Sequence, residues 1–338
     1  MKSIKSKVIA TLFALCFALL GYSCQCEAQA QPVKPGELVT KNAIVFYSES
    51  PFTLKTYNTS KNWKKADNSD GYIGYCSTNS ANDSDWQEWD GTEIPAVLNS
   101  GKYYIFLRGK GNAIITGDSN GCRFVIESGD ENAKVTLDGN MMNLLDYNTD
   151  YTKPGNLKIP GNYCFAHLFY QCTNLETLGP DFSLPATTLA DYCYYNMFSG
   201  CTSLKTAPAL PATTLTDYCY QSMFYNCTSL TSAPALPAET LADWCYSRMF
   251  YGCTSLTSAP ALPATTLADY CYSSMFEGCT DLKFSSTQVG EYTNEFKLGD
   301  ATNKTDALRD MFKNTGGTFT STPTGTMYYT SNTVIPAN

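Results

Sequence analysis

The chain has 338 residues, of which 43% are hydrophobic and 16% charged, with a formal net charge of -8. An acidic chain repels phosphate backbones, which excludes nucleic acid as an expected partner. Fifteen cysteines stand beside a single histidine, so cysteine or serine nucleophiles have almost no choice of base.

Residues 1–30 read as an export signal. Lys2, Lys5 and Lys7 give a basic start, and the apolar run Val8 to Gly21 is too short for a comfortable transmembrane helix. Ala28-Gln29-Ala30 is a small-x-small pattern that predicts release after Ala30. A rival reading makes Cys24, behind the imperfect lipobox Gly21-Tyr22-Ser23, the site of a lipid anchor. The chain is then exported in either case, at the outer surface or secreted, and meets a membrane only through that lipid.

Residues 31–141 are expected to form an antiparallel β domain. Apolar runs at Ile44-Val45-Phe46, Tyr103 to Leu107, Ala113-Ile114-Ile115 and Phe124-Val125-Ile126 are separated by Gly, Asn, Asp and Ser. Such a domain would cover the first of the repeats that follow. Cys76 and Cys122 are the candidate disulfide here, and Trp86 and Trp89 are candidates for stacking on a glycan.

Residues 142–285 are repetitive. Five cysteine pairs, Cys164/Cys172, Cys193/Cys201, Cys219/Cys227, Cys245/Cys253 and Cys271/Cys279, recur with a 26-residue period after a longer first unit. A fixed period in the twenties predicts a solenoid whose coils stack only on their neighbours. Asp191, Asp217, Asp243 and Asp269 read as N-caps of a short helix that stops at Gly200, Asn226, Gly252 and Gly278. Leu204, Leu230, Leu256 and Leu282 then open a short parallel strand, ended by the prolines that follow. The expected fold is thus an α/β leucine-rich-repeat solenoid, one short helix and one short strand per coil.

Two kinds of surface are candidates for binding. Lys205, Thr231, Thr257 and Lys283 follow the strand leucines and would line the sheet face. Two aromatic columns, one from Tyr163 to Tyr270 and the other containing Tyr194, Tyr220, Tyr246 and Tyr272, lie two residues apart. Either one is partly exposed, with the second as the candidate ladder, or both pack between coils. The cysteines are free core thiols, inter-coil disulfides or metal ligands. Their eight-residue spacing lacks the close pairs of zinc sites, so no metal and no cofactor is expected.

The segment MFYGCTSLTSAPALPATTLADYCY, residues 249–272, resembles the BspA-like leucine-rich-repeat surface proteins of Gram-negative anaerobes, which share an aromatic-x-x-Cys-x-x-Leu core. The ending, residues 310–334, is similar to the tail of that group, with Met311-Phe312 as a degenerate sixth unit inside the cap formed by residues 286–338. The resemblance implies adhesion to surface molecules of host or bacterial cells. His167 falls in a variable column with Asn196, Ser222, Arg248 and Ser274, so no catalytic constellation is expected. The function expected is a non-catalytic, adhesin-like surface or secreted protein that binds an extracellular protein or glycan. The alternatives are a structural envelope or stalk component, or polysaccharide binding by the β domain.

Overall fold

The computed structural model describes residues 42–58, 63–76, 83–117, 122–285, 287–288, 290–317 and 326–329. The export signal, Cys24 and Ala30 lie outside the described residues. Among the described residues no helix is long and apolar enough to cross a membrane.

The first apolar run becomes β1 (Ile44–Ser48), and β2 (Thr53–Thr56) follows outside the expected runs. They are followed by β3 (Ile73–Cys76), β4 (Gln87–Glu88), β5 (Ile94–Pro95) and β6 (Val97–Asn99). The longest strand, β7 (Lys102–Gly109), leads on to β8 (Phe124–Glu127) and β9 (Val135–Asp138). Antiparallel pairing places β1 on one flank of β7 and β3 with β6 on the other. The pleat sends successive side chains to opposite faces. Ile44, Phe46, Ile105 and Leu107 enter the main core, while Val45, Tyr104 and Phe106 join Ala43, Cys76 and Trp86 in a small cluster of their own. A second sheet, in the order β5-β2-β8, adds Leu54, Phe124 and Ile126 to the main core.

The first sheet continues into the repeats. β9 pairs with β1 on one side and, in parallel, with β10 (Leu175–Leu178) on the other. The described residues belong to one compact unit.

The expected α/β leucine-rich-repeat solenoid is overturned. Among the described residues no helix of 7 or more residues occurs, and the regular structure is three β-sheets with a few single-turn 3-10 segments. Residues 191–200, and their copies every 26 residues on, are runs of overlapping turns. In each run the N–H groups alternate in destination. Those of Cys193, Tyr195, Met197, Ser199 and Cys201 donate three residues back, to Ala190, Tyr192, Tyr194, Asn196 and Phe198. Those of Tyr192, Tyr194, Asn196, Phe198 and Gly200 donate to the next copy, at Asp217, Cys219, Gln221, Met223 and Tyr225, over 2.7 to 3.1 Å. A helix would keep all of them within its own segment.

Spacing explains the choice. The rings of Phe198, Phe224, Phe250 and Phe276 stack 5.6 to 5.7 Å apart. Helices need roughly 8–10 Å between axes and cannot repeat so closely. Turns can, at the expense of left-handed backbone at every fourth residue: φ is 57° at Tyr192, 53° at Asn196 and 77° at Gly200. Of these three columns only the last is mostly glycine or asparagine, with Gln171 in the first coil at φ 60°.

The other local expectations change accordingly. Three of the four aspartates expected to cap their own helix reach across instead: Asp217 Oδ1 accepts the N–H of Asp243 at 3.1 Å, Asp243 that of Asp269 at 3.0 Å, and Asp269 that of Thr305 at 2.9 Å. The expected strand shrinks to two short contacts per coil, a parallel bridge Thr206–Ser232–Ser258 and another Thr214–Thr240–Thr266. Prolines 208 and 211 lie between them and remove ladder donors.

Both ends of the stack have partners. Ile115 and Thr116 donate to the carbonyl of Cys164, and Phe124 to that of Leu168, so β8 and the segment ahead of it stand where a preceding coil would. At the far end Tyr270, Tyr272, Ser274, Phe276 and Gly278 donate to residues 305–313, and Phe312 stacks on Phe276 at 5.7 Å. Asn314 adopts φ 58°, like the glycines it replaces. β11 (Phe284–Ser285), β12 (Asn294–Lys297) and β13 (Thr326–Tyr329) form the third sheet, in the order β11-β13-β12.

Candidate functional site

Glu176, in β10, begins a strip that crosses the coils. Its carbonyl accepts the N–H of Lys205 at 3.1 Å; Lys205 accepts that of Thr231 at 3.4 Å, and Thr231 that of Thr257 at 3.1 Å. Lys205, Thr231 and Thr257 are exposed, and Lys283 follows in register, half-buried. The hydroxyls of Thr231 and Thr257 donate to the carbonyls of Lys205 and Thr231 at 3.4 and 3.3 Å. Thr228, Thr254 and Thr280 repeat the pattern beside them. A hydroxyl whose proton is committed to the backbone offers only lone pairs outward. The threonines of the strip therefore present acceptors.

At its head lies a depression of about 350 Å³ lined by Tyr47, Ser48, Glu49, Ser50, Lys102, Asn132, Lys134, Thr136 and Glu176. β1, β7, β9 and β10 converge there, and the alternation that buries Phe46 turns Tyr47 the other way. The Lys102 ammonium sits over the Tyr47 ring, 5.2 Å from its centre. Lys134 Nζ donates to Ser203 Oγ at 3.0 Å, and Lys205 neutralises Glu176 at 2.9 Å. Burial and the nearby Asp138 carboxylate push the Tyr47 phenol up, against a lowering hydrogen bond with Thr136. Tyr47, Lys102, Lys134, Thr136 and Glu176 do not stand out in the sequence. The alternation of β1 and β9 is a signal for their face, but only the pairing register brings them together.

The other sequence candidates fare differently. Tyr194, Tyr220, Tyr246 and Tyr272 are each 1% exposed and cannot form a surface ladder. Burial raises their phenols well above the ordinary value, and the hydroxyls of Tyr194 and Tyr220 have no hydrogen-bond partner. The half-buried column is the other one: Tyr163, Tyr192, Tyr218, Trp244 and Tyr270, stacked 4.0 to 5.7 Å apart. Its ring faces are spent on one another, so only edges look outward.

Trp86 and Trp89 are also core residues. Trp89 stacks on Trp63 at 5.5 Å and donates to the carbonyl of Thr92, while Arg108 lies over the Trp86 ring at 4.1 Å. With 7% and 1% exposure they offer no face to a sugar. Cys76 packs in the small cluster and Cys122 in the main core, so the fold does not bring this candidate disulfide pair together.

The ten repeat cysteines are buried free thiols. Burial pushes their thiols up, Cys219 and Cys253 to about 12. The second column donates S–H to the preceding coil, as from Cys227 Sγ to the Phe198 carbonyl at 3.1 Å and Cys253 Sγ to Phe224 at 3.0 Å. His167 contacts Tyr170, Tyr195 and Asn196. Burial, with the Arg123 charge, lowers its pKa to about 4. No family model, no curated protein and no solved structure matches this chain.

Proposed function

We propose that the protein is a non-catalytic binding protein that works outside the cell and docks a glycan or protein along the strip from Glu176 to Thr257. The observation that carries this reading is the continuity of the strip. Backbone bonds fix half-buried Glu176 and exposed Lys205, Thr231 and Thr257 in one row, and the row runs into a polar depression. Rigid side chains in a fixed row lose little entropy on binding. Work outside the cell and kinship with the BspA-like group belong to the same proposal, and rest on residues 1–30 and on the segment 249–272.

The test is saturable capture on an array of glycans and extracellular-matrix proteins by the wild-type chain and by the double variant Thr231→Arg, Thr257→Arg. Capture should fall at least tenfold in the variant while the melting curve stays put. Unchanged capture would remove the strip from the site.

A structural role is the second reading, and one observation favours it. Near-identical coils with rings stacked at regular intervals make a rigid rod with little individuality along it. A rod of that kind would capture nothing saturably.

A further inference from the structure

The depression at the head of the strip has its own chemistry, and an inference about it deepens the binding reading on which it rests. We propose that it holds the carboxylate of an acidic sugar, a uronic or sialic acid unit within a larger glycan.

Charge is the first argument. The chain carries a formal -8, yet the depression is bordered by Lys102, Lys134 and Lys205 against Glu49 and Glu176. One of the two glutamates is neutralised by Lys205 at 2.9 Å. Lys102 rests on the Tyr47 ring and Lys134 on the Ser203 hydroxyl, and neither forms an ion pair with a carboxylate of the described residues. Asp130, whose Oδ2 accepts from the lining Ser50 hydroxyl at 3.4 Å, makes the carboxylates three against three lysines, so a ligand carboxylate would be met by Lys102 and Lys134 in particular rather than by a net local charge. A polyphosphate would meet Glu49 and the negative field of the whole chain.

The lining is the second argument. Ser48, Ser50, Asn132 and Thr136 supply hydroxyl and amide groups, and the threonine strip beyond supplies acceptors. Ring hydroxyls of a saccharide are donors that such a surface satisfies. An acidic peptide would look for apolar anchor pockets. The one ring here, Tyr47, has Lys102 over its face. A volume of about 350 Å³ lies at the small end of ligand pockets and suits a terminal sugar with its neighbour.

Calorimetry on the full chain tests this with 3′-sialyllactose and glucuronate-containing oligosaccharides, against their carboxyl-reduced forms and an acidic peptide. The acidic sugars should bind at least tenfold tighter than the reduced ones. Lys102→Ala and Lys134→Ala should each weaken binding about tenfold, as the loss of a charge-assisted contact does, while Lys134→Arg keeps most of it. Thermal melts of the variants should match wild type, since both side chains are at the surface. Equal binding of reduced and acidic sugars, or unaltered affinity in both folded alanine variants, overturns the assignment. So does equal or better binding of the acidic peptide. If the array captures a matrix protein but calorimetry finds no acidic sugar, the assignment falls and the binding reading stands. If nothing is captured at all, both fall.

Discussion

The N-terminal sheets and the repeats use the same backbone groups in different ways. In β1 and β7 the backbone bonds run sideways between strands, and the pleat alone decides which side chains are buried. In the coils half of the N–H groups in each turn run close a turn and half cross to the next copy. Two neighbouring side chains can then point inward together, as Cys193 with Tyr194 and Met197 with Phe198 do, all at 1% exposure or less. The coils accept left-handed backbone at Tyr, Trp, Asn, Ser and Arg positions to achieve this, at about 1–2 kcal/mol for each such residue. The axial hydrogen bonds and stacked rings must offset that strain.

The largest effect expected from this contrast is at Phe224, fully buried between the rings of Phe198 and Phe250. Phe224→Ala should cost about 3–5 kcal/mol in a denaturant melt, as core aromatics do. A loss below about 1 kcal/mol would mean that the backbone ladder alone holds the coils, as it does at a sheet edge.

A smaller effect is expected from pH. His167 has φ 60° and lies in a coil turn, with its pKa lowered to about 4 from 6.5. The unfolded chain therefore binds the proton first, and stability falls as pH drops from about 6.5 towards about 4, then levels. His167→Asn, which tolerates the left-handed backbone, should remove that part of the slope. Urea midpoints of the two proteins at pH 7, 5.5 and 4.5 provide the comparison, and parallel curves would contradict it.

The smallest expected effect is the most specific to the two geometries. Ser222 has φ 54°, so Ser222→Gly should gain up to about 1 kcal/mol by releasing strain. In β8 the change Val125→Gly should instead lose about 1 kcal/mol or more, because glycine weakens a strand interior. Equal losses at both places would show that Ser222 is not held in the left-handed region.

These contrasts also show what the amino-acid pattern can reveal. The 26-residue period placed Cys, Met, Phe and Leu in inward columns, and Cys227, Met223, Phe224 and Leu230 are all fully buried. Local geometry was not legible, since tyrosine, serine and arginine at positive φ run against their usual preference. The variable column from His167 to Ser274 is one of the three left-handed columns, with Ser222 and Ser274 buried. The error about the tyrosines has the same root. On a helix, residues two apart diverge, whereas here the choice between Tyr192 and Tyr194 follows the alternation of turns. Lys205, Thr231 and Thr257 could be found because they share a period. Tyr47 and Lys102 belong to strands far apart in the chain, Lys134 immediately precedes a third, and no local signal links them.

The junction between one coil and the next has a consequence for inheritance. Gly200 meets Tyr225 through the same bond by which Asn226 meets Tyr251 and Gly252 meets Glu277, at 2.7 to 2.8 Å. Each interior coil is thus interchangeable with its neighbour as donor and as acceptor. Duplication or loss of one whole unit leaves every surviving junction chemically unchanged, and the sheets at either end still find a coil of the right kind. The length of the array is therefore free to drift between generations by unequal exchange of near-identical gene segments, lengthening or shortening the exposed row while the fold at both ends stays the same.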